Sequence, residues 1–172
     1  MFSENMLMNQ TTKAPDRWLA DSGGLPLYRG FEHRQSAGVV TIKSPEYRTP
    51  KNIPIDVQQQ IDDWFEARFQ IRFRQRSLFC SGDLALAKNY AQNWGEVRQL
   101  RALAPYSFCW SPICDDLYRE FEDKPESESV EQMLERLQFR CDDLESAIRS
   151  HHEIMLVCDA VEAVPLNEAS NT

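Results

Sequence analysis

The order of helical and extended hydrophobic patterns along the chain restricts its possible folds more than any other feature. One pattern covers residues 55–68, where apolar side chains recur at the helical spacing i, i+4, i+7 and i+8. Phe69, Ile71 and Phe73 follow directly and alternate with polar residues, as in a half-buried strand. Helical and extended segments continue without a regular strand–helix–strand repeat, so the sequence predicts an α+β fold.

Short strands and helices account for most of the remaining chain. Strands are predicted at residues 25–30, 39–42, 97–103 and 106–110, and a long final strand begins with the apolar run 154–157. A helix is predicted after Ser81, and Gly95 is expected to end it in a left-handed conformation. A further short helix is predicted from Ser111 to about Phe121.

The longest amphipathic pattern lies between residues 130 and 148. Ser129 and Gln132 stand at the spacing of a capping box in front of it, which predicts the start of a helix. Apolar residues then mark one stripe over five turns: Val130, Met133, Leu134, Leu137, Cys141, Leu144 and Ile148. The pattern predicts one continuous helix. Its polar face is expected to be acidic, because residues 115–145 contain twelve acidic and four basic side chains.

Chain length and aromatic content predict a single domain. A chain of 172 residues is near the usual size of one domain, and four Trp and nine Phe supply large apolar side chains for one core. Trp94 and Trp110 are expected to lie in that core. We predict a flexible leader at residues 1–14, the domain at 15–166 and a flexible tail at 167–172.

Cysteine usage and hydropathy predict a soluble, cytoplasmic protein. The five cysteines are an odd number at irregular spacings, which favours buried thiols over a disulfide framework or a zinc site. No metal is expected. No apolar run approaches the roughly 18–20 residues that span a bilayer, and no basic segment followed by an apolar one marks a secretion signal, so no membrane partner is expected.

The charge distribution bears on the class of ligand. A net charge of −8 argues against a nucleic-acid-binding protein. Residues 66–101 nevertheless carry seven basic and three acidic side chains, and this region suits an anionic ligand such as a phosphate-bearing cofactor.

Several common motifs are absent from the sequence. It contains no G-x-x-x-x-G-K-[ST], G-x-G-x-x-G, G-x-S-x-G or H-E-x-x-H motif, which removes the usual nucleotide-triphosphate, hydrolase and metalloprotease interpretations. Three polar residues next to predicted strands remain as candidates. Arg29 ends an early strand, Ser81 lies at a strand-to-helix turn, and Glu153 opens a late apolar strand.

The order of these three residues resembles the Arg–Ser–Glu type of the mono-ADP-ribosyltransferase superfamily, found in bacterial toxins, effectors and phage proteins. The matching patches are short: an Arg that ends the first core strand, a Ser in a turn before a helix with Ala87 and Tyr90, and a Glu followed by apolar residues. The resemblance implies mixed or antiparallel sheets split around a cleft, with flanking amphipathic helices. It also implies NAD as a substrate.

The resemblance implies a role for each candidate residue. Glu153 would stabilise the oxocarbenium-like ribose that forms when the nicotinamide–ribose bond breaks, as a preorganised opposite charge does. Arg29 would hold phosphate in a bidentate manner, with Gly30 beside it. Ser81 would position the ribose or the carboxylate, and Tyr90 would face the nicotinamide ring. His151 and Cys80 are possible substrate contacts, and a Cys80 nucleophile with a His base is a further option.

The acceptor and the alternatives stay open at this stage. Arginine-modifying members of the superfamily carry Glu-x-Glu, whereas His151 occupies the first of these positions here. A protein side chain, a nucleic acid or water are all acceptors to consider. A different hypothesis is a non-catalytic protein that binds a basic partner through the acidic helix, with Glu131, Glu135 and Asp142 as contacts. A third is a hydrolase that uses Glu153 and a His.

Overall fold

The computed structural model describes residues 11–166 of the chain. The strands are β1 (Leu27–Phe31), β2 (Val40–Ile42), β3 (Leu78–Ser81), β4 (Glu96–Ala102), β5 (Tyr106–Trp110), β6 (Glu153–Cys158) and β7 (Val161–Pro165). A 3-10 turn at Pro15–Arg17 precedes the first helix. The helices are α1 (Trp18–Ser22), α2 (Ile55–Phe69), α3 (Phe73–Arg76), α4 (Leu84–Ala91), α5 (Leu117–Asp123), α6 (Val130–Arg136) and α7 (Leu144–Ser150).

The strands form one seven-stranded antiparallel sheet in the order β2-β7-β4-β1-β3-β6-β5. This confirms the α+β fold class. The two halves of the sheet meet at the centre through a single residue pair, Tyr28↔Ser81, between β1 and β3. Arg29 and the rest of β1 have their ladder partners on β4, and β3 has its partners on β6. The sheet therefore opens beyond this pair.

The sheet carries a hydrophobic cluster on each face. On β6, Ile154 and Leu156 belong to one cluster, while Met155 belongs to the other, because successive side chains of a strand point to opposite faces. The first cluster contains α1 and α7 with Trp18, Leu144 and Ile148. The second cluster packs α2, α5 and α6 against the sheet, with these buried side chains: Ile61, Phe65, Leu117, Met133 and Leu134.

The strand predicted at residues 69–73 is wrong. Helix α2 runs to Phe69, Gln70 ends it in the left-handed conformation, and α3 begins at Phe73. The physical reason is the helical spacing of Phe65, Phe69 and Phe73, whose rings contact one another at centroid distances of 5.9 to 6.4 Å. Aromatic packing in the second cluster outweighs the local alternation of apolar and polar residues.

The single helix predicted at residues 130–148 is also wrong. The capping box of Ser129 and Gln132 is confirmed, but α6 ends at Arg136 and α7 begins only at Leu144. Between them the chain passes around the edge strand β5, where Arg140 exchanges backbone hydrogen bonds with Trp110. Leu137 is buried in the second cluster and Leu144 in the first, so the two helices pack on opposite faces of the sheet.

Smaller differences concern single residues and boundaries. Trp110 is buried as predicted, but Trp94 is 84% exposed, so the prediction that it lies in the core is wrong. Helix α4 ends at Ala91 with Gln92 at φ 58°, and Gly95 instead lies against the carbonyl of Phe31. The short helix after Ser111 begins later than predicted, at Leu117. The long final strand is two separate strands, β6 and β7.

The ends of the domain are described in part. Lys13, in the predicted leader, pairs with Tyr106 of β5 through two backbone hydrogen bonds of 2.7 and 2.9 Å. Residues 1–10 and 167–172 lie outside the described residues, so the rest of the leader and the tail stay predictions. Between residues 11 and 166, no helix combines the length and the apolar character needed to cross a membrane.

Candidate active-site cleft

A cleft of about 790 Å³ lies where β1 and β3 separate. Its wall includes Arg29, Gly30 and Phe31 from β1, Phe79 from β3 and Tyr90 from α4. Four of its lining side chains are basic residues at neutral pH: Arg29, Arg48, Lys51 and Arg74. Four are aromatic: Phe31, Phe79, Tyr90 and Tyr118. The cleft therefore offers both positive charge and flat apolar surfaces to a ligand.

Gly30 brings α4 close to this cleft. A side chain at position 30 would collide with the backbone of Ala87 and Ala91, so only glycine lets the helix rest directly on β1. Asp83 caps the start of α4 by accepting hydrogen bonds from the backbone N–H groups of Ala85 and Leu86. The helix in this position directs Tyr90 toward the cleft.

Three arginines surround Phe79 at the cleft. Arg29 Nη1 donates to the Phe79 carbonyl at 2.8 Å, and Arg48 Nη2 donates to the Ser77 carbonyl. The guanidinium carbons of Arg48 and Arg74 lie 4.1 and 4.4 Å from the centroid of the Phe79 ring. In each of the three arginines the Nε atom is buried and has no hydrogen-bond partner within residues 11–166. Each guanidinium therefore retains unused donor capacity.

Burial and neighbouring cations destabilise the charge of Arg48. Burial, followed by the neighbouring charges of Arg29 and Arg74, lowers the pKa of Arg48 to about 10. Burial is also the main cause that lowers the pKa of Arg29. The binding of an anion between crowded, partly desolvated cations of this kind stabilises their charged forms.

Glu153 does not line the cleft itself, but it accepts hydrogen bonds from two side chains that do. Its Oε1 accepts from Arg74 Nη1 at 2.7 Å, and its Oε2 accepts from the Tyr90 hydroxyl at 3.0 Å. The side chains of Arg74 and Glu153 are only 8% and 9% exposed. Burial, followed by the nearby Glu153 carboxylate, raises the pKa of Tyr90, so the phenol remains a hydrogen-bond donor at neutral pH. A buried carboxylate thus stands behind two side chains that line the cleft.

Ser81 joins the strands that carry the site but does not line the cleft. It stands opposite Tyr28 on one side and opposite Glu153 on the other. Its side chain is fully buried, donates to the His151 carbonyl at 3.2 Å and accepts from the Asp83 backbone N–H at 3.0 Å. The hydroxyl therefore ties the start of α4 to the turn before β6, and through these elements it positions Tyr90 and Glu153.

The other candidate residues fall into two groups, according to whether they line the cleft. Arg29, Gly30 and Tyr90 line the cleft, whereas His151 and Cys80 do not. His151 ends α7 in the left-handed conformation with an exposed side chain. Cys80 is buried in the first cluster, where its thiol donates to the Ile154 carbonyl at 3.3 Å and burial raises its pKa. A raised pKa disfavours the thiolate that a nucleophile requires.

Sequence reasoning did not single out Arg48 and Arg74. The excess of basic residues at 66–101 included Arg74 but did not indicate which of them faces a ligand. The direction of Arg74 depends on Asp62 of α2, a buried carboxylate that accepts from the Arg74 and Gln75 backbone N–H groups at 2.9 and 3.4 Å. Arg48 lies in the proline-containing loop after β2, where no local pattern marks its orientation.

Comparison of the chain with protein-family models, with curated proteins and with solved structures gave no match. Over the described residues, no group of three or more His, Cys, Asp or Glu side chains is arranged to hold a metal ion.

Proposed function

We propose that the protein is an NAD-dependent mono-ADP-ribosyltransferase that transfers ADP-ribose to a macromolecular acceptor. The observation that carries this proposal is the position of Glu153. A buried carboxylate is held by Arg74 and Tyr90 at a cleft that three arginines make strongly positive. The transfer of a group from a dinucleotide makes use of both the carboxylate and the positive charge.

The charge and the size of the cleft support NAD as the donor. The diphosphate of NAD carries two negative charges. The net charge of Arg29, Arg48 and Arg74 together with Glu153 is +2, which matches the diphosphate. Arginine forks also match phosphate oxygens geometrically. The volume of about 790 Å³ lies within the usual range of small-molecule sites. Phe31, Phe79, Tyr90 and Tyr118 supply ring surfaces for nicotinamide or adenine.

The chemistry assigns a role to the carboxylate. When the nicotinamide–ribose bond breaks, nicotinamide leaves with the bonding electrons and positive charge develops on the ribose. Glu153 stabilises that charge because it is preorganised and shielded from water. Arg74 pairs with Glu153 in the ligand-free protein, and the incoming diphosphate draws Arg74 toward itself. The Tyr90 hydroxyl then keeps the carboxylate in place.

The test uses NAD labelled in its adenylate half together with the variant Glu153→Gln. We expect the unmodified protein to release nicotinamide, and the variant to lose this activity by about 100-fold or more, as when a preorganised transition-state contact is removed. Binding is followed separately as the rise in Tm on addition of NAD, which the variant should retain. Glu145→Gln, at an exposed ion pair with Arg149, is the matched control.

Two results would oppose the proposal. The first is an unmodified protein whose Tm does not respond to NAD. The second is a Glu153→Gln variant that releases nicotinamide as fast as the Glu145→Gln control. Transfer of label to added protein or to nucleic acid identifies the macromolecular acceptor, whereas label recovered only as free ADP-ribose indicates hydrolysis by water in place of the proposed transfer.

The alternative of a basic partner held on an acidic helix has less support in the geometry. Its acidic stripe is divided between α6 and α7, which pack on opposite faces of the sheet. Glu135 lies 3.5 Å from Arg68, and Asp142 lies 2.6 Å from Arg140, so the chain's own arginines already compensate part of this charge.

A further inference from the structure

Cys109 and Cys141 face each other across a short antiparallel bridge outside the cleft. The neighbouring residues Trp110 and Arg140 form this bridge and exchange both backbone hydrogen bonds, at 3.0 and 2.9 Å. In an antiparallel pair, the next position along is a pair without hydrogen bonds, where opposite Cα atoms are closest, at about 4.5 Å. Cys109 and Cys141 occupy this position. The spacing lies within the range of about 4.4 to 6.8 Å that disulfides require.

The side chains confirm that the two residues point the same way. Cys109 is buried in the second hydrophobic cluster, and Cys141 packs against the same cluster. Both are free thiols in the structure, but they differ in access, because Cys109 is fully buried whereas Cys141 is partly exposed. A reagent from solvent therefore reaches Cys141 first.

We propose that Cys109 and Cys141 are a modification site that small disulfides convert into a cross-strand disulfide bond. This inference rests on the bridge geometry and is independent of the proposed transferase activity. The reagent class is a low-molecular-weight disulfide such as oxidised glutathione.

The reaction proceeds by two thiol–disulfide exchanges. The Cys141 thiolate attacks one sulfur of oxidised glutathione, the S–S bond of the reagent breaks, and one glutathione leaves and takes the proton lost by Cys141. The Cys109 thiolate then attacks the Cys141 sulfur and expels the second glutathione, which takes the proton lost by Cys109. Two protein thiols are oxidised, and one glutathione disulfide is reduced to two thiols.

The second exchange should be the slower one. Burial, followed by the neighbouring Cys141 thiol, raises the pKa of Cys109, so little thiolate is present at neutral pH. We therefore expect the glutathione adduct at Cys141 to form first and to resolve faster as the pH is raised. The product closes the chain between residues 109 and 141, which includes α5, α6 and Tyr118 of the cleft wall.

The experiment treats the full chain with oxidised glutathione and follows it by intact mass and peptide mapping. We expect a final loss of two hydrogen atoms and one cross-linked peptide joining Cys109 to Cys141. Cys109→Ala should stop at a stable glutathione adduct, and Cys141→Ala should give neither product. Cys114→Ala, which alters a buried cysteine of the same cluster, should form the cross-link like the unmodified protein. The oxidised protein should also melt several degrees higher than the reduced one, because the cross-link restricts the unfolded chain.

Peptide mapping of the unmodified protein tests for the Cys109–Cys141 cross-link even if a variant fails to fold. A persistent adduct on Cys141, a cross-link between other cysteines, or complete resistance of the folded protein to the reagent would each overturn the proposal.

Discussion

Arg74 and Glu153 form a buried ion pair in which Nη1 and Oε1 are 2.7 Å apart. The pair joins α3 to the first residue of β6, across the second face of the sheet. Arg74 also lies over the Phe79 ring and lines the cleft, so one guanidinium contacts the carboxylate, an aromatic ring and the ligand space. This arrangement places the pair both in the packing of the fold and at the wall of the cleft.

Replacing Arg74 should destabilise the fold substantially. Arg74→Met leaves the buried Glu153 carboxylate without its cation, and removal of one partner of a buried pair costs about 3–5 kcal/mol. Urea unfolding measures the change. Arg149→Met, at the exposed pair with Glu145, is the control and should cost less than about 1 kcal/mol. Equal effects of the two substitutions would show that the buried pair does not stabilise the fold.

Replacing Arg48 should weaken anion binding without a comparable loss of stability. Arg48→Gln removes a cation whose pKa is already lowered to about 10 by burial and by Arg29 and Arg74, so the free protein is relieved of repulsion. One charge-assisted contact contributes about 1.5–3 kcal/mol, which predicts an increase of about 10- to 150-fold in the Kd for pyrophosphate. Titration calorimetry measures this constant. Arg119→Gln, at an exposed ion pair with Asp115, should leave it unchanged.

Arg98 should hold in place the loop at residues 32–39, which borders the cleft. Its buried guanidinium donates to the carbonyls of Ser36, Gly38 and Ala163 and pairs with Glu96 at 2.9 Å. Arg98→Met removes the donor from these carbonyls and the cation from Glu96, which keeps only the Gln35 backbone N–H, and we expect a loss of about 3–5 kcal/mol.

Amide hydrogen exchange should locate the effect of Arg98→Met, because the substitution should accelerate exchange in the loop at residues 32–39 more than in the strands of the sheet. Arg101→Met is the matched control, because Arg101 lies on the same strand in an exposed pair with Glu162. If exchange at residues 32–39 is the same in both variants, Arg98 does not hold the loop.

Asp62 should make stability depend on pH. Burial raises its pKa above the ordinary value of 3.8. The folded protein therefore binds this proton more strongly than the unfolded chain does. The resulting stabilisation is fully present below the unfolded pKa and is lost as the pH rises through the folded pKa.

The variant Asp62→Asn tests this sign. Asparagine keeps an oxygen for the backbone N–H groups of Arg74 and Gln75 but does not titrate. The quantity measured is the free energy of unfolding of the variant minus that of the unmodified protein. This difference should increase as the pH is raised from about 4 to about 7. A constant difference across this range would mean that the Asp62 pKa is the same in the folded and the unfolded chain.

Local patterns determined much of the secondary structure. The helix at Ile55–Phe69 and the strands Glu96–Ala102 and Tyr106–Trp110 lie close to their predicted positions, because their hydrophobic periods and their packing agree. The order of Arg29, Ser81 and Glu153 along the chain also pointed to strands that prove to be neighbours. Ser81 stands between Tyr28 and Glu153 in the sheet.

Only the tertiary structure decided where the chain changes face and which side chains meet. The apolar stripe at 130–148 is helical in its spacing, yet its two halves serve opposite faces of the sheet, and no local period carries that information. The same holds for the cleft. Arg48 and Arg74 reach Phe79 through contacts between distant segments, and the Ser81 hydroxyl turns to the His151 carbonyl. Local periodicity determines which residues of one element share a face, whereas long-range packing determines what that face meets.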